Sequence, residues 1–186
     1  MRNVRFKQID AETSIDVPAA SIDGVLCRWG FMLLAEPGVA LGGARRVLKP
    51  GGRLALAAWA APAHNRWSSL PAEELIRRGL AEPPEPGAPG QFAWARDGVI
   101  AEQLEDAGFV DHHVEALDFT VDFASPEDWW EGVSQTSGRV ASAIASGPAE
   151  TVAEARAAVL AAAVEYAQPD GTLRIPARTW VASAEA

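Results

Sequence analysis

The chain has 186 residues, 48% of them hydrophobic and 22% charged, with Lys+Arg 16 against Asp+Glu 25 and a formal net charge of −9. That length supports one domain with a real core, and the acidic balance argues against a nucleic-acid backbone or an anionic membrane as the main partner. A single cysteine, Cys27, excludes an internal disulfide and fits a reducing, cytoplasmic setting, while the opening "MRNVRFKQID" has no apolar signal-peptide core and no apolar run approaches the roughly 18 residues of a spanning helix.

In chain order, Val4 and Phe6 alternate with Arg5 and Lys7 in "NVRFKQI" (residues 3–9), which predicts a short strand ended by "DAET". Residues 21–27 predict a second strand. A helix is expected after Pro37, with Ala40, Ala44, Val47 and Leu48 on one face. It should stop at Pro50, which cannot donate the next backbone bond. Gly42 and Gly43 inside it cost up to ~1 kcal/mol each. Gly51 and Gly52 supply the turn into a third strand, 53–59, apolar throughout after Arg53, as a strand covered on both faces should be. Strand, helix, strand of this length is a βαβ unit with parallel strands.

Residues 60–90 are proline-rich, with one short helical piece, "PAEELIRRGL", carrying Leu75, Ile76 and Leu80 on one face. Asp97 is expected to cap a helix striped by Val99, Ile100, Leu104 and Ala107, with Gly108 just past its end. In "VEALDFTVDF", Leu117, Phe119, Val121 and Phe123 alternate with Asp118, Thr120 and Asp122, a strand with one wet face. Ser125, Pro126 and Asp128 make a helix start. An Ala-rich helix over 149–167 and a closing strand in "TLRIPARTWVASA" complete the chain. The pattern predicts an open α/β sheet. Strands 22–27 and 53–59 should be parallel neighbours, and 117–123 and 178–183 an antiparallel pair at one end.

Three pieces, "VRFKQIDAET", "SIDGVLCRWGFMLL" and "ARRVLKPGGRLALAAW", together resemble the class I S-adenosylmethionine-dependent methyltransferases, specifically the small-molecule type grouped with the ubiquinone/menaquinone enzymes (methyltransferase type 11). "LEDAGFVDHHVE" and "DGTLRIPARTWVASA" resemble that family's later strands. The resemblance implies an α/β, Rossmann-like methyltransferase sheet, partial and without the first two strands, with helical lid insertions. The chain is then a single partial domain over 1–186, with 1–59, 108–123 and 172–186 as sheet core and 60–107 and 124–171 as lid and connecting segments. It also implies S-adenosyl-L-methionine as cofactor. Asp10 would accept from the adenine amino group and the Ala11 amide would reach the ring. Cys27, Arg28 and Trp29 would border the methionine portion and the transferred methyl. Read without the resemblance, Asp10 caps the following turn, Cys27 is a small buried hydrophobe, and Trp29 is either a pocket wall or core.

The family's acidic, glycine-rich loop after its first strand and its ribose-binding acid have no counterpart here; no G-x-G occurs anywhere. The resemblance therefore implies the carboxyl-terminal two-thirds of a longer enzyme, weak cofactor binding by this chain alone, and an exposed apolar edge at 22–27 through which copies self-associate. The expected reaction is methyl transfer to a small, apolar or aromatic acceptor by direct displacement. His64 is the candidate base, while His112 and His113 read as a solvated pair. Trp67, Trp129 and Trp130, with Phe92 and Trp94, line an acceptor lid or form that lid's own core. One Cys and three scattered His make no metal set. A dehydrogenase reading fails for want of G-x-G-x-x-G and of a Tyr-x-x-x-Lys pair at the lone Tyr166. A non-catalytic remnant that binds a hydrophobic ligand or a protein partner through the Trp-rich segment is the other alternative.

Overall fold

The strand–helix–strand unit expected early in the chain is present in the computed structural model, which describes residues 3–186. Strand β1 (Ile22–Arg28) leads through helix α1 (Pro37–Val47) to β2 (Leu48–Trp59). Helices α2 (Arg66–Arg77) and α3 (Val99–Asp106) precede β3 (Val110–Phe123); α4 (Pro126–Thr136), α5 (Gly138–Ser146) and α6 (Ala149–Ala162) precede β4 (Leu173–Glu185). The strands form one sheet in the order β1-β2-β4-β3. The chain divides into two compact units, one of residues up to Trp59 with 87–117 and 179–186, the other of 60–86 and 118–178.

In the first unit β1 and β2 are parallel, with Val25 opposite Leu54 and Cys27 opposite Leu56. Pro37 opens α1, where its missing N–H is no loss. The helix buries Ala40, Leu41, Ala44 and Val47, one face at the expected spacing. β2 pairs antiparallel with β4 from Arg53↔Glu185 to Trp59↔Thr179, burying Leu54, Leu56 and Ala58 beside Ala182 and Ala184. Helix α3 ends as Gly108 predicts. Gly108 sits at φ 80, its N–H reaches the Glu105 carbonyl at 2.8 Å, and the Phe109 N–H reaches Leu104 at 2.9 Å, a Schellman ending. Its start differs, because the capping position is Gly98 at φ 85 and Asp97 makes no cap.

Helix α1 stops at Val47, short of Pro50, because Leu48 is already extended (ψ 142) and paired with Ile22. Lys49, preceding proline, is also disfavoured in helical geometry. Between the pairs Ile22↔Leu48 and Gly24↔Arg53, the residues Lys49, Pro50, Gly51 and Gly52 stand opposite Asp23 alone. The Pro-Gly-Gly stretch is thus a bulge within the strand rather than a corner before it. At Gly52 an added Cβ would lie 2.9 Å from the Lys49 carbonyl oxygen and 3.2 Å from that of Asp23. Gly52→Ala should therefore destabilise the chain by about 1–3 kcal/mol, the cost of overpacking. Gly42→Ala, in the helix with nothing within 4 Å of its Cβ, should stabilise it by up to ~1 kcal/mol. Urea unfolding of the two variants checks both signs.

The expected first strand at 3–9 is not formed. Phe6 is 96% exposed and Val4 and Ile9 are 46% exposed. Instead of finding a strand partner, the amino-terminal segment docks on α1 through residues further along. Arg46 donates to the carbonyls of Ile15 (2.5 Å) and Val17 (3.1 Å), and Ile15 packs where a Cβ at Gly43 would come within 3.2 Å of its Cδ1. That contact explains Gly43 in a helix. β1 is left outermost in the sheet, and Leu26 on it is 81% exposed.

In the second unit α2 begins before "PAEEL" and runs through Pro71. A proline there leaves the Trp67 carbonyl without its helical donor, and the Trp129 indole N–H fills the place at 2.6 Å. Ser125 caps α4, accepting from the Asp128 N–H at 3.1 Å, while the Asp128 carboxylate accepts from Ala124 at 2.8 Å, a shifted capping box. The Ala-rich helix is shorter than expected, since α6 ends at Ala162 and a 3-10 turn, Ala163–Tyr166, follows. On β3, Phe119, Val121 and Phe123 are half-buried between exposed acids, but Leu117 is 53% exposed. The ion pairs Arg178–Asp118 and Arg174–Asp122 step in opposite directions along β4 and β3, the sense of an antiparallel pair.

Candidate functional site

The carboxyl ends of strands are where open α/β sheets bind ligands, and the chain does something unusual at that end of β1. The Trp29 N–H still bonds Ala57 at 2.9 Å, extending the ladder. Trp29 itself then adopts φ 56, a left-handed conformation rare for a bulky residue. The turn closes on Gly30, where a Cβ would stand 2.6 Å from Cys27 Sγ. The Trp29 indole stacks on Trp59 with centroids 4.3 Å apart and planes 14° from parallel. Its Nε1–H donates to Thr179 Oγ1 at 3.0 Å. Buried Thr179 donates in turn to the Ala58 carbonyl at 2.7 Å. The Arg28 guanidinium lies 4.7 Å from the Trp29 ring centroid, a cation–π contact. The arrangement offers a fixed aromatic face to a cation.

Asp10 sits in a turn of its own. Its carboxylate accepts from the Thr13 hydroxyl at 2.8 Å and the Glu12 N–H at 3.0 Å. These bonds, the Thr13 hydroxyl first, hold its carboxyl below the usual range. Ala11 belongs to the same turn. The Glu12 carboxylate accepts from the Glu36 N–H at 2.6 Å, fastening the turn to the start of α1. Asp10 therefore fills the turn-capping role while keeping an exposed carboxylate.

In the second unit, His64 ends a 3-10 turn (Pro62–His64) and lines a cavity of ≈ 330 Å³ with Arg66, Asp118, Tyr166, Pro176 and Arg178. Arg178 grips Asp118 with two bonds, at 2.6 and 2.8 Å, and these chiefly hold the Asp118 carboxyl below its ordinary range. Arg66 bonds both Glu73 oxygens, at 2.7 and 2.8 Å. With both guanidiniums committed, the His64 imidazole and Tyr166 hydroxyl are the groups that could face a ligand. Of the two readings of Trp67, Trp129 and Trp130, their packing fits the core of this unit. Trp129 is fully buried, Trp130 is 9% exposed, and Trp67 packs against the same cluster with Val133, Val159 and Ile175. His112 and His113 join no site, lying 3.5 Å from Glu105 and 3.6 Å from Glu115. Sequence reasoning missed Trp59, Thr179 and Asn65. Only Asn65, just ahead of a helix, carries a local signal; the partnership of Trp59 with Thr179 exists only once β2 and β4 pair.

Residues 1–56 match the family model of a methyltransferase domain; they hold the Asp10 turn, β1, Trp29, α1 and most of β2. Among solved structures, a protein of Bacillus halodurans named provisionally as a methyltransferase is 19% identical, with a TM-score of 0.53, covering 99% of this chain and 78% of its own. The YcgJ protein of Bacillus subtilis is 16% identical, with a TM-score of 0.52, covering 98% of this chain and 71% of its own. The fold is Rossmann-like, of the methyltransferase kind. No curated protein matches the chain. Among the described residues no helix is long and apolar enough to cross a membrane, and no group of three or more His, Cys, Asp or Glu could hold a metal ion.

Proposed function

We propose that the chain carries part of the cofactor site of an S-adenosylmethionine-dependent methyltransferase that acts on a small acceptor. The observation that carries this reading is the match of residues 1–56 to the methyltransferase domain, a segment that includes Asp10 and, at the end of β1, Arg28 and Trp29. The corner fits the cofactor's sulfonium, since it already holds a cation against Trp29. The exposed carboxylate of Asp10 fits an adenine amino group, and the Ala11 amide would lie beside the ring.

When bound, S-adenosylmethionine supplies a methyl group activated on a sulfonium. The residues of this chain would orient it, with Asp10 at one end and Cys27, Arg28 and Trp29 at the other. Proximity and orientation carry most of such a displacement, so no nucleophile of the protein is required. His64 is the proposed base for the acceptor's proton, and the cavity it lines has Tyr166, Pro176, Ala63 and Ala177 on its walls, which suit an apolar or aromatic molecule. The glycine-rich loop that the family uses for the methionine end would have to come from outside these residues. We place the protein in the cytoplasm on its single cysteine.

The test uses saturation-transfer NMR, which reads weak binding. Adenine protons of S-adenosylmethionine at millimolar concentration should gain signal from the wild-type chain and lose most of it with Asp10→Ala. A charge-assisted hydrogen bond is worth ~1.5–3 kcal/mol, roughly tenfold or more in affinity. Asp10→Asn keeps an acceptor for the Glu12 N–H and so the turn, and it should lose the signal as well. Equal signals from all three proteins would leave Asp10 a turn residue.

A further inference from the structure

The geometry points to Trp29 as a cation-binding face on which Arg28 is a tethered occupant, displaced by an organic sulfonium. This rests on the methyltransferase reading above for its natural ligand, though not for its physical basis. Three contacts over-determine the Trp29 conformation: the backbone bond to Ala57, the stack on Trp59 and the indole bond to Thr179. A left-handed tryptophan persists only where its surroundings hold it. The indole is therefore preorganised before any ligand arrives.

The side chain that must move is the exposed one. Arg28 is exposed, and among the described ion pairs it has no carboxylate partner. Its guanidinium nonetheless lies against the ring at 4.7 Å. Guanidinium is weakly hydrated compared with ammonium, which suits it to an aromatic face, and a sulfonium carrying three carbon substituents shares that character. A neutral thioether, the species left after methyl transfer, has no charge for the ring quadrupole to attract and keeps only a sulfur–aromatic contact at the ring edge. Arg28 can then reclaim the face, so the corner favours the charged cofactor over its product.

The experiment titrates the full 186-residue chain with trimethylsulfonium and follows the indole N–H resonances by NMR. Saturable shifts are expected at Trp29 and Trp59, and dimethyl sulfide at the same concentration should cause much smaller ones. Arg28→Met removes the resident cation and should tighten trimethylsulfonium about two- to fivefold, the scale of an exposed cation–π contact. Trp29→Leu should abolish the shift at Trp59. Thr179→Val keeps both rings but frees the indole, and it should weaken binding without unfolding the chain. The proposal is overturned by equal affinity in wild type and Arg28→Met, or by equal shifts with dimethyl sulfide. Should Trp29→Leu not fold, the Arg28 and Thr179 variants decide alone. Trimethylsulfonium lacks adenosine and amino-acid groups, so its binding is indifferent to Asp10→Asn. Failure here with adenine signals intact sinks the cation face only; the reverse result sinks the methyltransferase reading only.

Discussion

S-adenosylmethionine should bind the 186-residue chain at millimolar concentration or weaker. The methionine end of that molecule is zwitterionic and strongly hydrated, and burying it requires amides and an acid to replace the water. In class I methyltransferases a glycine-rich loop supplies those groups, and no G-x-G stands in this sequence. Two or three missing contacts at ~1.5–3 kcal/mol each lower affinity by roughly two to six orders of magnitude. A micromolar ligand thereby leaves the calorimetric range. Among the described residues β1 has no strand on its outer side, and Leu26 is exposed there; we propose that copies associate through that edge. Calorimetry combined with sedimentation decides both, and a monomer that binds the cofactor at low micromolar concentration refutes the pair.

Asn65→Ala should cost about 2–5 kcal/mol, the largest loss expected of any single polar side chain here. Asn65 is fully buried. Its amide donates to the carbonyls of Ala60 (3.1 Å), Ala61 (3.3 Å) and Arg178 (2.9 Å), and its oxygen accepts from the Arg178 N–H at 3.1 Å. The side chain thus closes the backbone of Arg178 as another strand would. Truncation leaves buried donors and acceptors unmade, at about 1–3 kcal/mol each. Asn65→Asp keeps the bond from Arg178 but turns a carboxylate onto the three carbonyls. Burial and those carbonyls raise its folded pKa above the ordinary value. The charged form therefore destabilises the fold at neutral pH, and stability should recover as pH falls through that raised pKa. Urea unfolding followed by tryptophan fluorescence reads both variants. A loss below about 0.5 kcal/mol for the alanine variant would show that water replaces the amide.

Local chemistry made much of this legible. The stripe on α1, the Gly108 ending of α3 and the Ser125 cap each follow from residues a few positions apart, and the parallel β1–β2 pairing follows from the strand–helix–strand order. The strand over 3–9 failed because alternation proposes a strand but cannot provide its neighbour. Asp97 failed as a cap because Gly98, with a conformation no other residue adopts as easily, took the position. At the candidate site, Asp10 and Trp29 were visible as residues at strand-end positions. The clamp on Trp29 was not, because Trp59 and Thr179 meet it only through pairing between segments far apart in sequence. The two readings of the lid tryptophans, ligand wall or core, could not be separated in the sequence for a similar reason. Spacing along α4 cannot tell an aromatic turned to a ligand from one turned to Val159 and Ile175.

β1 and β2 are joined through α1, so the chain must find their alignment after a helix has intervened. A slip by two residues would keep every side chain on its proper face and lose little apolar burial. Misaligned sheets are thus close competitors on the way to the native state. The stretch Lys49–Gly52 breaks that near-degeneracy. In the native alignment Gly52 fits against the Asp23 carbonyl, and Lys49 reaches the Asp23 carboxylate at 2.5 Å. Shifted by two, the extra residues have no counterpart to bend around. β4 begins its pairing at Arg53, immediately beyond, so the irregularity stands where the regular ladders on both sides of β2 start.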